Sequence, residues 1–313
     1  MRHHLRRAKH VYETRGPKKL ITAAIKYVPV EINNLIFQAR YGTGTRVMDE
    51  DWDTLILLDA CRYDMFADQV DFKGKLDSRI SLGSTSEEFL ECNFDEETFH
   101  DTVYINTNPY LPRLDLDDET FHAVVNLLDE WDPELQTVHP QTVVEAAKKA
   151  HTEYPNKRHI VHFMQPHYPF IGKAGAKIEA RGWKNGNTTV DGDSIWGQLR
   201  NGTTDASIDT VWRAYTENLD IALDHVENLL NSISGKTVIS ADHGNLVGER
   251  YHPLPSKRKY GHPYGVYLPE LVKVPWFVVE SGGRPQIQSD SPVAAESSSD
   301  EIIEDRLQAL GYK

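Results

Sequence analysis

The residues best suited to chemistry lie in four short segments of the 313-residue chain. They are Asp59 in Leu58-Asp-Ala-Cys-Arg-Tyr-Asp64, the hydroxyls of Gly83-Ser84-Thr85-Ser86-Glu87-Glu88, His167 in Pro166-His-Tyr-Pro169, and Asp242-His243-Gly244 followed by Gly248-Glu249 and His262. Carboxylates and an imidazole together suit one divalent cation such as Ca, Mn, Mg or Zn. Asp59, Asp242 and His243 are therefore candidate metal ligands, with Gly244 letting the backbone turn after them. The hydroxyl segment reads as a loop entering a helix, and Ser84 with Glu87, or Thr85 with Glu88, fits a capping box. A hydroxyl at that position also faces backbone N–H groups that stabilise an anion. Beside a cation it would have a depressed pKa and could attack a phosphoryl or sulfuryl centre. Spacing leaves the nucleophile open among Ser86, Thr85 and Ser84, in that order of preference. His167, held between two prolines in a stiff loop, and His262, in a Gly/Pro-rich loop, can hydrogen-bond a developing oxyanion or protonate a leaving oxygen. Taken singly, each motif is ordinary: Asp-His-Gly is a common strand-to-loop turn, and a hydroxyl before Glu is a helix cap.

These groups need strand ends to bring them together. Asp59 closes the apolar run that begins at Asp53, which predicts a buried central strand whose carboxylate emerges where open α/β sheets place ligands. Further strands are expected over 102–105, 159–163, 237–240 and 275–279, and amphipathic helices over 117–129, 140–153 and 209–230. The last carries Trp212, Tyr215, Leu219, Ala222, Val226 and Leu229 on one stripe. Strands alternating with helices predict an α/β fold with a mostly parallel central sheet flanked by helices. Three parts follow: an N-terminal arm (1–46), a catalytic domain (47–280) with a polar insertion (170–208), and a linker with a terminal helix (281–313) that has a Ser299 cap and a Gly311 stop. The triplets Asn187-Thr-Thr and Asn201-Gly-Thr in the insertion read as chance.

Charge divides the chain. The net charge is -13, yet residues 1–46 hold ten Lys or Arg against two acids, a net +8. An acidic body argues against nucleic acid as a partner. The basic arm, with Leu20, Ile21, Ile25, Val28, Ile32, Leu35 and Ile36, suits peripheral contact with an anionic membrane, or else packs on the core. No apolar run is long enough to span a bilayer, and no signal peptide is evident, so a cytoplasmic location is expected, at the inner face of the membrane where the arm binds lipid. Two cysteines exclude a disulfide framework and a Cys-rich zinc site.

The order of these segments resembles the alkaline phosphatase superfamily, in particular its sulfatase-like branch, and Leu58-Asp-Ala-Cys-Arg-Tyr-Asp64 resembles archaeal members. The resemblance implies that Asp59, Asp242 and His243 hold at least one metal shared with the nucleophile, with His167 and His262 around the transferred group. It implies metal-dependent transfer or hydrolysis of a sulfuryl ester on a sugar or lipid-linked glycan, in cell-surface glycan biosynthesis. Phosphoryl transfer or phosphodiester cleavage is the alternative, and an inactive, metal-stabilised binding protein of the same machinery is the non-enzymatic one. The chain lacks the Cys/Ser-x-Pro-x-Arg pattern that precedes formylglycine, and Ala60 stands where sulfatases carry a second Asp. It is in these respects similar to the Ser- or Thr-dependent phosphoethanolamine transferases and lipoteichoic acid synthases.

Overall fold

The computed structural model describes residues 17–311 apart from 96, 117–118, 179–193, 252–255 and 294–298, with side chains from Val28 onward. The strands in chain order are β1 (Thr54–Leu58), β2 (Lys75–Ile80), β3 (Phe99–Asn106), β4 (Phe121–Asn126), the two-residue β5 (Trp131–Asp132) and β6 (Thr137–Val138), β7 (Arg158–Phe163), β8 (Gly235–Ser240), the two-residue β9 (Leu246–Val247) and β10 (Tyr260–Gly261), and β11 (Lys273–Ser281). Seven of them form one sheet in the order β2-β11-β8-β1-β7-β3-β4. β4, β3, β7, β1 and β8 run parallel, while β11 is antiparallel to both β8 and β2. The chain thus has the expected mostly parallel α/β architecture.

Every residue of β1 is buried. Alternate side chains serve opposite faces, as the pleat requires. Ile56 and Leu58 pack with Val161, Ile239 and the helices Pro140–Glu153 and Ile208–Leu230. Leu55 and Leu57 pack with Tyr104, Ile160, Val238 and the helices Ser86–Phe94 and Asp300–Ala309. A central strand sealed on both faces is rigid, which suits it to carry Asp59 at its end.

One local expectation changes, and two segments gain detail. The segment 117–129, read as an amphipathic helix, contains strand β4. Phe121 and Ala123 alternate with their neighbours as well as they fit a helical stripe, and pairing to β3 decides the outcome. Within the polar insertion Ser194 caps the helix Ile195–Asn201, and Ile195 and Trp196 enter the core. Asn187 lies outside the described residues. The segment read as a linker is fastened across the N-terminal edge of the sheet, with Gln288 N–H donating to Asn156 O and Asp290 N–H to His100 O. Ser299 does cap the last helix through Ile302 N–H.

Among the described residues the arm forms the helix Pro17–Tyr41. Val30 and Phe37 pack against Leu246, Val266, Leu268 and Leu271, so this part of the arm joins the core. Val28, Leu35 and Ile36 stay exposed. The side chains of Leu20, Ile21 and Ile25 lie outside those described.

Candidate active site

Asp59 follows β1 and Asp242 follows β8, the adjacent parallel strand, so both carboxylates reach the same sheet edge. Backbone bonds lock this edge: Asp59 N–H donates to Phe163 O, and His167 N–H to Asp59 O, at 3.0 and 3.1 Å. One ligand atom from each of Asp59, Asp242 and His243 lies within 4.8 Å of the others, and all three residues are buried. Asp242 Oδ1 accepts from Ala60 N–H and His243 N–H at 3.0 and 2.8 Å. Ala60 holds a left-handed φ of 59°, costly for a residue with a Cβ. That bond and the one from Tyr215 hydroxyl to Ala60 O over-determine it. His243 Nδ1–H donates to Gly244 O at 2.7 Å, which leaves the Nε2 lone pair facing the carboxylates at 3.4 and 3.6 Å. Gly244 is required for space rather than for a sharp turn, since a Cβ there would lie 2.2 Å from Glu270 O.

The three candidate hydroxyls have separate surroundings. Ser84 Oγ lies 2.8 Å from the Glu88 carboxylate and 3.0 Å from Pro263 O. Thr85 is the helix cap, its Oγ1 accepting from Glu88 N–H. Ser86 alone of the three faces the carboxylates, with Oγ 3.3 Å from Asp59 Oδ2 and 3.4 Å from His243 Nε2. On the other side of His243, His262 lies with ring centroids 4.6 Å apart, and His262 Nε2 is 3.0 Å from His167 Nε2. His167 Nδ1 contacts Tyr168 O. The residues singled out by sequence thus sit at one end of the sheet, with Thr85 capping the helix and Ser84 bound to Glu88 and to the 263–266 backbone.

Two more residues belong here. His162, at the end of β7, places Nε2 3.9 Å from Asp59 Oδ2 and 4.0 Å from Asp242 Oδ2, with Tyr104 hydroxyl 2.8 Å from its Nδ1. Asn108 Nδ2 donates to Asp59 Oδ2 at 2.8 Å. The sequence signal for His162 is a polar residue inside a buried strand; that for Asn108 is an amide in the loop directly after β3.

Electrostatics sharpen the picture. Burial, then the Asp242 charge, pushes the Asp59 carboxyl well above its ordinary range. Burial acts the same way on Asp242, but the His243 and His162 imidazoles and two hydrogen bonds outweigh it and hold that carboxyl low. Burial, with His243 alongside, brings His167 down to about 4. Asp59 Oδ1, Asp242 Oδ2 and His162 Nε2 are buried with no hydrogen-bond partner. Such orphaned acceptors are costly in a folded protein and mark a site built for a missing positive charge. The donor set fits a divalent cation held by Asp59, Asp242 and His243, with Ser86 and His162 flanking it.

No protein-family model matches the chain, and no curated protein matches it either. Solved structures do resemble it in outline. The C-terminal periplasmic domain of the phosphoethanolamine transferase EptC from Campylobacter jejuni is 13% identical, with a TM-score of 0.46, over 72% of this chain and 78% of that one. The lipooligosaccharide phosphoethanolamine transferase EptA from Neisseria meningitidis is 11% identical with a TM-score of 0.46, and the match takes in 89% of this chain but 59% of that longer protein. A protein of the alkaline phosphatase superfamily from Vibrio parahaemolyticus is 12% identical with a TM-score of 0.28, over 68% and 45% of the two chains.

Proposed function

We propose that the protein is a metal-dependent enzyme of the alkaline phosphatase type that transfers or hydrolyses a phosphoryl or sulfuryl ester through Ser86. The observation that carries this reading is the Ser86 hydroxyl lying 3.3 Å from Asp59 Oδ2 and 3.4 Å from His243 Nε2, beside carboxylate oxygens that have no partner. A bound divalent cation would supply Lewis-acid polarisation of the ester oxygens and would favour the alkoxide form of a nearby hydroxyl. Ser86 Oγ forms the bond to the phosphorus or sulfur atom, with Asp59 Oδ2 within reach of its proton. The bond to the leaving oxygen breaks, its electron pair staying on that oxygen, and the His167–His262 pair is placed to donate a hydrogen bond to it. Water then cleaves the seryl ester in a hydrolase, and a sugar hydroxyl does so in a transferase. Either step returns Ser86 to its starting state.

For the substrate, we propose a sugar or lipid-linked glycan bearing a sulfate ester. The polar segment 170–208 and the exposed Val28, Leu35 and Ile36 on the N-terminal helix support a bulky, surface-associated substrate and peripheral contact with an anionic membrane. Among the described residues no helix is long and apolar enough to cross a membrane. A phosphoryl ester is the second reading. It is favoured by Ser86 itself, a plain serine followed by Glu-Glu-Phe-Leu and so outside the pattern that yields formylglycine.

The experiment is incubation of the metal-loaded protein with paired aryl sulfate and aryl phosphate esters, with and without a sugar acceptor, and product analysis by mass. Release of aryl alcohol from one partner of the pair is expected, and the acceptor adduct separates transferase from hydrolase. Metal binding without turnover of either ester would favour the inactive binding protein.

A further inference from the structure

We propose that the N-terminal helix is a working part of this site, because Asn34, assisted by Asn33, is a positioning residue for the loop that carries His262. Both asparagines are buried in the middle of the helix Pro17–Tyr41, at 6% and 4% exposure. Asparagine is a poor helix former, and a buried amide is costly unless satisfied, so local preference and simple packing both favour other residues there. Their bonds explain them. Asn34 Oδ1 accepts from Tyr267 N–H at 2.9 Å, and Asn34 Nδ2 donates to Gly265 O at 2.8 Å. Asn33 Nδ2 donates to Tyr267 O at 2.8 Å. The two side chains grip the loop backbone as a neighbouring strand would.

The nucleophile's helix grips the same loop from its other side. Gly265 N–H donates to Glu88 Oε2 at 3.3 Å, Tyr267 hydroxyl to Glu88 Oε1 at 2.9 Å, and Val266 N–H to Ser84 Oγ at 3.3 Å. Glu88 Oε2 also accepts from Ser84 N–H at 2.8 Å, two residues before Ser86. The loop is therefore clamped between the arm helix and the start of the helix Ser86–Phe94. His262 lies three residues before Gly265 in the same loop, next to His167 and His243. Releasing the arm's grip frees the loop at one of its two anchors, and small misplacements of a reacting constellation are expensive in rate.

This inference rests on the catalytic reading above, so its test includes a measurement that needs no turnover. Full-length Asn34→Ala, Asn33→Ala and Val30→Ala are compared with the parent. Val30→Ala trims the same helix's apolar packing, on Val266 among others, while leaving both amides in place, and so controls for loss of packing and stability without loss of the amide bonds. Asn34→Ala is expected to lower kcat on the better aryl ester by about 10- to 100-fold, with KM and Mn affinity within about twofold. Hydrogen exchange at the 265–267 amides should accelerate in Asn34→Ala and Asn33→Ala. Val30→Ala should lower Tm while changing kcat and that exchange far less than Asn34→Ala does. Unchanged kcat in Asn34→Ala, or an equal loss in Val30→Ala at an equal fall in Tm, would overturn the proposal. If the parent turns over neither ester, the catalytic reading fails separately, and the exchange comparison alone decides whether the arm holds the loop. If Asn34→Ala does not fold, Asn33→Ala carries the same comparison.

Discussion

The two edges of the central sheet both bury charge, and they treat it in opposite ways. At the N-terminal edge a cavity of about 480 Å³ is lined by Asp53, His151, Lys157, His159 and Arg284 among others. Asp53 is nearly as buried as Asp59, yet its carboxylate accepts from Arg284 at 2.8–3.1 Å and from Lys236 N–H at 2.7 Å. Lys157 Nζ there contacts His100 O, Gln288 O and the Asp290 carboxylate. At the C-terminal edge Asp59 Oδ1 and Asp242 Oδ2 are left without a partner. Space alone does not mark a site; uncompensated buried charge does, because only a function or an absent ligand repays its cost.

The largest expected effects come from neutralising each edge in turn. Asp59→Asn or Asp242→Asn should abolish tight cation binding and cut ester turnover by about 10³-fold or more, because the charges that hold the cation are gone. In the metal-free protein Asp59→Asn should hold or raise Tm, since it relieves a carboxyl that burial and the Asp242 charge destabilise, whereas Asp242→Asn should lower Tm, because it weakens the bonds from Ala60 N–H and His243 N–H. Asp53→Asn should act on stability alone, lowering it by about 1–3 kcal/mol through the loss of charge-assisted bonds to Arg284 and Lys236 N–H, with turnover unchanged. Metal titration calorimetry, thermal melts and the aryl ester assay check all three, and a turnover loss in Asp53→Asn equal to that in Asp242→Asn would erase the distinction between the edges.

Within the C-terminal edge, Ser86 and Thr85 separate catalysis from capping. Ser86→Ala should remove turnover and leave the fold intact. Thr85→Ala should cost about 1 kcal/mol of stability from the lost cap. Its effect on rate should be much the smaller of the two. Kinetics and melts on the pair decide between them.

A smaller effect, at the N-terminal edge, depends on pH. Burial, with His151 stacked beside it at 3.8 Å, brings His159 down to about 3 from an ordinary 6.5. The unfolded chain therefore binds a proton in that interval that the folded chain refuses. The stability this group contributes is fully present above pH 6.5 and is lost as pH falls from 6.5 toward 3. His159→Phe should flatten that part of the melting profile; an unaltered slope would show that other groups set it.

Much of this was legible in the residues. An apolar run ending in Asp59, and Asp242-His243 after a second run, are patterns that burial forces on central parallel strands, and they led directly to the sheet edge. The segment around Phe121 was not legible, because its apolar spacing serves either period and a long-range partner, β3, settles it. His162 was hidden for a related reason: a side chain near the end of a strand acquires meaning only from the strands beside it. Ser84, Thr85 and Ser86 are equivalent by type, and their division of labour comes from the direction each points at the helix start. Asn33 and Asn34 carry no signal in the chain itself, and their role comes only from the 265–267 backbone placed against them.

The most direct test of the central claim is peptide mapping by mass spectrometry after acid quench of the metal-loaded protein reacting with an aryl phosphate or an aryl sulfate. The account predicts one phosphoryl or sulfuryl group on Ser86, absent from Asp242→Asn. Turnover with no adduct at Ser86, and with Ser86→Ala as active as the parent, would contradict it.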